Sequence, residues 1–274
     1  MRTHMDARTS DLLCIHGYTA SWHHWDPVVP ALQEHHRVHV ARLAGHAGGP
    51  PLAAGVAPTA TALADQLERD LDAAGVDRAH LVGNSLGGWL ALELAARGRA
   101  LSVTALSPAL GWEPRGNHLR TLDLKLAVAR QMILRGSPFL PLLFRSPTAR
   151  RAALKVAVAH GDRMTPEAAL TFTAAMAECT IAKPLKQWFL TTEHTLGPIE
   201  CPVHIAWSGE DALIPLEPYG ARFTTLVPNA ERTVLPHVGH VPMYDDPDLV
   251  ARTVLDLTSA VDRAGTPLTP VDGS

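Results

Sequence analysis

Apolar positions along the 274-residue chain fall into two rhythms. Short continuous or alternating apolar runs predict strands, and longer stretches with apolar residues three or four positions apart predict helices. Leu12–His16 is a nearly continuous apolar run, as expected of a strand covered on both faces. Arg37–Leu43 (R-V-H-V-A-R-L) alternates with period two and predicts a second strand. His80–Gly83, Val103–Leu106, Pro202–Trp207 and Arg232–Leu235 predict four more. Between the second and third, Thr59–Ala74 places Leu63, Leu67 and Leu71 on one helical face, with Gly75 at its expected end. Leu86–Arg97 and Leu249–Ala260 predict two further helices, and Gly45–Pro58, rich in Gly, Ala and Pro, predicts a loop. Strands that alternate with helices predict an α/β fold, here a mostly parallel sheet of about six strands flanked by helices.

The rhythm breaks between Trp112 and Gly197. That stretch has helical patterns without strands, and prolines interrupt it at Pro138, Pro141, Pro147, Pro166 and Pro184. A helical insertion is therefore expected at residues 112–197, between the fourth and fifth strands, with residues 1–111 and 198–274 forming the core. The insertion carries 12 Lys+Arg against 6 Asp+Glu, whereas the rest of the chain is acidic. The closing stretch Ala264–Ser274 reads as a frayed tail.

Composition narrows the class. Hydrophobic residues make up 46% and charged residues 19%, as in ordinary globular chains. The formal net charge of −3 argues against nucleic acid as a partner. No apolar run reaches the ~18 residues of a membrane-spanning helix. Met1–Ser10 is polar and has no apolar leader segment. Cys14, Cys179 and Cys201 are far apart and form no C-x-x-C pair, which predicts reduced thiols and a cytoplasmic location. The fifteen histidines contain no H-E-x-x-H, and no G-x-G-x-x-G follows the first strand, so no metal, nucleotide or flavin cofactor is expected.

The strongest chemical signal is Gly83-Asn84-Ser85-Leu86-Gly87, followed by Gly88. It lies between a predicted strand and a predicted helix. A turn that sharp strains the serine backbone, closes only over small neighbours and leaves the hydroxyl standing above the sheet. The helix that starts there offers free N–H groups and the positive end of its dipole. Asn84 has two readings, a tight-turn residue that tolerates strained φ and a substrate contact. A serine becomes a nucleophile only beside a base, and the base needs an orienting acid.

With His16-Gly17 after the first strand, S-G-E-D-A-L-I-P at 208–215 and G-H-V-P-M at 239–243, the chain resembles the α/β-hydrolase superfamily over nearly its whole length. The resemblance implies a nucleophile, acid and base in the order Ser85, Asp211 and His240, with Glu210 as the alternative acid. His237 is expected to pack or face solvent, as are His23, His24, His35 and His36. The resemblance also implies an oxyanion hole from the Leu86 and Tyr18 N–H groups, a structural role for His16, and a cap domain at the insertion. His46, in the loop A-G-H-A-G-G, is expected at the solvent. Fifteen residues precede His16, too few for the two leading strands that many members carry.

Members similar to this chain that open epoxides or remove halides use an aspartate nucleophile, so serine at position 85 points instead to acyl transfer. Carboxylic esters are the expected substrates, and thioesters and lactones need the same apparatus. The G-N-S sequence also resembles carbon–carbon bond hydrolases of ring-cleavage products, and ligand-binding or acyltransferase members share the fold. Gly17, Asn84, Trp112, Met132, Phe144 and Trp188 are the expected substrate contacts, with Phe139, Leu140, Met176 and Phe189 as further apolar candidates. The basic balance of the insertion raises a sharper expectation: some of its arginines draw an anionic substrate into the cleft.

Overall fold

The computed structural model describes residues 9–112 and 116–265. Six strands, β1 Asp11–Ile15, β2 Arg37–Val40, β3 Ala79–Asn84, β4 Ala100–Leu106, β5 Val203–Ser208 and β6 Glu231–Leu235, form one sheet in the order β2-β1-β3-β4-β5-β6. Every neighbouring pair is parallel. The expected second strand ends early, at Val40 rather than Leu43. It is an edge strand, and after Ala41 N–H donates to Cys14 O at 2.9 Å the chain turns away into the loop.

Period-two alternation divides the core. Leu13, Ile15, Leu81, Val103 and Ile205 point to one face of the sheet, which α2 (Ala60–Ala73) and α3 (Leu86–Ala96) cover. Leu12, Cys14, Val82, Leu106 and Ala206 point to the other, covered by α1 (Val29–Gln33) and α11 (Pro247–Gly265). The Thr59 hydroxyl caps α2 by accepting from Ala62 N–H at 3.1 Å. The tail begins later than its composition predicts, because α11 runs on through Ala264 to Gly265. Asp262 explains the extension: its carboxylate accepts from Ser10 Oγ at 2.8 Å and from the buried His80 Nε2 at 3.0 Å. The rest of the expected tail, 266–274, lies outside the described residues, as do residues 1–8.

Among the described residues five α-helices fall between β4 and β5: α4 Asn117–Gly136, α5 Leu140–Leu143, α6 Pro147–Leu154, α7 Pro166–Glu178 and α8 Ala182–Thr191. Two of the prolines that interrupt the pattern start helices. Pro147 and Pro166 occupy first-turn positions where the missing N–H costs nothing, behind capping hydroxyls of Ser146 and Thr165. Two short helical turns, α9 (Leu216–Tyr219) and α10 (Phe223–Leu226), join β5 to β6. No described helix is long and apolar enough to cross a membrane.

The strand order locates the cleft. From β1 the chain steps outward to β2, then returns to β3 on the other side of β1 and continues to β6. A crevice opens at the carboxyl ends of β1 and β3, where the direction of winding reverses. The segments that leave those two ends are Gly17-Tyr18 and Asn84-Ser85.

Candidate active site

Ser85 joins β3 directly to α3 with φ 58° and ψ −119°. Such a conformation costs a non-glycine residue of order 1–3 kcal/mol. Bonds on both sides hold it: Ser85 N–H donates to Leu106 O at 2.9 Å, and Ala109 N–H donates to Ser85 O at 3.0 Å. Neighbouring backbone comes too close for side chains. A Cβ on Gly83 would lie 2.0 Å from Gly87 O, and a Cβ on Gly87 would lie 2.1 Å from Ile15 O. The glycines of the motif are therefore required by the distance between β1, β3 and the first turn of α3.

Asp211 follows β5 and His240 follows β6. His240 Nδ1 lies 2.7 Å from Asp211 Oδ2, and both residues are buried. Asp211 Oδ1 accepts from Leu213 N–H at 3.0 Å and Ile214 N–H at 2.8 Å, so both carboxylate oxygens are engaged. An acceptor at Nδ1 puts the imidazole proton there and leaves Nε2 as a lone pair. Glu210 does not share this position. It faces the exposed His237 ring at 3.4 Å on the surface.

Two clamps fix the His240 loop. Asn84 Nδ2 donates to His240 O at 2.8 Å and to Leu106 O at 3.2 Å. Asp245 accepts from Gly239 N–H at 2.7 Å on one side and from Ala159 and His160 N–H, at 3.0 and 2.6 Å, on the insertion. To the two readings of Asn84 the structure adds a third role, a clamp on the His240 loop. It borders the cavity, but both protons of its amide serve backbone carbonyls.

Ser85, His240, Gly17, Tyr18, Leu86 and Trp112 border one largely apolar cavity. Neither the Tyr18 nor the Leu86 backbone N–H donates to a protein acceptor among the described residues. The Tyr18 hydroxyl reaches across to α8 and donates to Ala182 O at 2.8 Å, and its ring meets Phe189 edge-on. Three expected contacts do not border it. Met132, 67% exposed, and the buried Phe144 line an adjoining groove along α4 to α7, which shares Leu126, Ala157, Phe172, Met176 and Leu213 with the Ser85 cavity, while Trp188 packs on His194 beside Trp89. Sequence spacing marks such residues as apolar and helical, without giving the side of the helix that meets Ser85.

The residue that sequence reasoning missed is His24. It lines the cavity, is fully buried, stacks on Phe172 at 4.5 Å, and neither ring nitrogen has a protein partner. Burial, with His23 and His240 nearby, lowers its pKa to about 3. His46 is likewise buried rather than solvent-facing: Nδ1–H donates to Ala44 O, and desolvation takes its pKa to about 4. His16 sits edge-on to His46. Its Nδ1–H donates to Gly17 O at 3.0 Å and its Nε2 accepts from Leu43 N–H, which joins the β1 turn to the loop after β2. Burial drives its pKa far down and keeps it neutral.

The chain is similar to several known proteins. An epoxide hydrolase of Mycobacterium tuberculosis, EphH, is 34% identical over 70% of this chain and 91% of its own length. A 2-hydroxy-6-oxo-6-phenylhexa-2,4-dienoate hydrolase of Burkholderia cepacia is 25% identical over 68% of this chain and 64% of its own. Among solved structures, naproxen esterase from Bacillus subtilis superposes with a TM-score of 0.70 over 92% of this chain and 84% of that one, at 18% identity, a likeness of fold alone. The model of the alpha/beta hydrolase family matches residues 12–253, and the chain belongs to that family.

Proposed function

We propose that the protein is a serine hydrolase that cleaves carboxylic esters through an acyl-enzyme. The observation that carries the reading is the convergence of Ser85 and the Asp211-oriented His240 on one apolar cavity. In this reading His240 Nε2 takes the hydroxyl proton as Ser85 Oγ bonds to the carbonyl carbon. The Tyr18 and Leu86 N–H groups hold the oxyanion. The carbon–oxygen bond to the leaving group breaks, and His240 returns the proton to that group. Water then attacks the acyl carbon, gives a proton to His240, and Ser85 leaves with it as the acid departs. Asp211 stabilises the imidazolium at both stages. Residues 112–197 act as a cap over the core, and thioesters and lactones suit the same steps.

Serine also bears on the epoxide hydrolase name of the Mycobacterium tuberculosis relative. A serine alkoxide that opened an epoxide would leave an ether, with no carbonyl for water to attack. Hydrolysis of a carbon–carbon bond is the second reading, favoured by the name of the Burkholderia cepacia relative. It needs the same serine and histidine, and is distinguished by its products.

The test is hydrolysis of 4-nitrophenyl esters from acetate to palmitate. Ser85→Ala is expected to lower kcat by at least ~10³-fold, and Asp211→Asn by a comparable factor through the wrong imidazole tautomer. A Ser85→Ala protein that keeps wild-type rates overturns the reading.

A further inference from the structure

A second cavity, of about 430 Å³, opens beside the one at Ser85, and the two share Tyr18, Thr19, Leu126 and Met176. The shared cavity is largely apolar, whereas the second is cationic. Arg130, Lys183 and Lys186 line it, and no carboxylate does. The three cations are not equivalent. Lys186 Nζ is engaged at 2.5 Å by Asp123 Oδ1. Lys183 forms no ion pair among the described residues. Arg130 donates to no acceptor among them either, although its Nε is fully buried.

Arg130 is half-buried on the wall of this cavity, and a cavity wall that carries cations and no carboxylate suits an anionic group. A guanidinium presents parallel N–H groups that match the two oxygens of a carboxylate. Tyr18 and Thr19 line both cavities, so Arg130 and Ser85 border adjoining spaces. The net positive charge of residues 112–197 adds a long-range attraction of the same sign.

We propose that Arg130, assisted by Lys183, is a subsite for a carboxylate carried by the substrate at a distance from the scissile bond. The substrates are then acidic esters, of which half-esters of dicarboxylic acids are the simplest. The proposal rests on the serine-hydrolase reading for its rate measurement, and has a binding measurement that does not.

The experiment compares mono-4-nitrophenyl glutarate with 4-nitrophenyl valerate, which differ in the terminal carboxylate. In the wild type the half-ester is expected to have the higher kcat/KM, by about tenfold or more at low ionic strength, and salt narrows the gap. Arg130→Gln is expected to cut that ratio at least tenfold, chiefly through KM of the half-ester, and Arg130→Lys to restore part of it. A ratio that Arg130→Gln leaves unchanged overturns the subsite. If the wild type hydrolyses neither ester, the hydrolase reading fails on its own. Titration calorimetry of glutarate into Ser85→Ala and Ser85→Ala/Arg130→Gln proteins then decides: binding lost with Arg130 supports the subsite, and equal or absent binding in both overturns it.

Discussion

Asn84 ties two distant parts of the candidate site together. Its amide joins the nucleophile turn to the carbonyl of His240, 156 positions away in sequence. Removing it leaves the His240 carbonyl without a donor, at about 1–3 kcal/mol, takes one of two donors from Leu106 O and frees the His240 loop. Asn84→Ala is accordingly expected to lower kcat roughly tenfold with KM little changed, alongside a lower melting temperature. A change confined to KM would return Asn84 to the role of a substrate contact. This role was not legible in the sequence. G-N-S-L-G marks Ser85 by local backbone geometry, and the resemblance adds Asp211 and His240 from their chain order. Which carbonyl Asn84 meets depends on the packing of β3 against a loop after β6. His24 was hidden for a similar reason. Nothing in W-H-H-W separates the exposed His23 ring, near Asp26, from the neighbour turned under Phe172.

At the level of elements, the central strands β1, β3, β4 and β5 were legible because the sheet is covered there on both faces, so they read as largely apolar runs. Their ends were less so. β2 stops where an edge strand loses its partner, and α11 continues because Asp262 finds Ser10 and His80. The β3–α3 junction gives the sharpest prediction here. Gly83→Ala forces a methyl group into the Gly87 carbonyl, with backbone on both sides and nothing flexible to yield. A loss above ~3 kcal/mol is expected, seen as insoluble protein or a collapsed urea midpoint. Gly98→Ala is the control. It has positive φ but no atom within reach of the new methyl group, and about 1 kcal/mol is expected. Equal effects at the two sites would refute the close-approach argument.

The whole molecule holds a cluster of neutral histidines in its interior. His16, His24 and His46 have pKa values depressed by burial. An unfolded chain takes up their protons as pH drops below about 6.5, and the folded protein does not until far lower. Stability is therefore complete above pH 6.5 and falls between there and about pH 4. His24 and His46 each account for about 2 kcal/mol between pH 8 and pH 5, and His16 acts in the same direction. Urea unfolding at the two pH values is expected to show a drop of several kcal/mol. His24→Phe, which keeps the stack on Phe172, should remove one proton from that dependence. A stability curve flat from pH 8 to pH 5 would refute it.

The insertion is sewn to the core at points that also border or steady the candidate site. Tyr18 offers its backbone to the site and its hydroxyl to α8, while Asp245 grips the backbone of 159–160 with the same carboxylate that steadies the His240 loop. Grafting this helical segment onto a related core is therefore not a free exchange of modules. A donor segment that lacks a carbonyl where Ala182 sits, or N–H groups where Ala159 and His160 sit, would detune the recipient even if it folded well and carried a suitable pocket. Successful chimaeras should have their seams placed outside these two stitches, so that each travels with both of its ends.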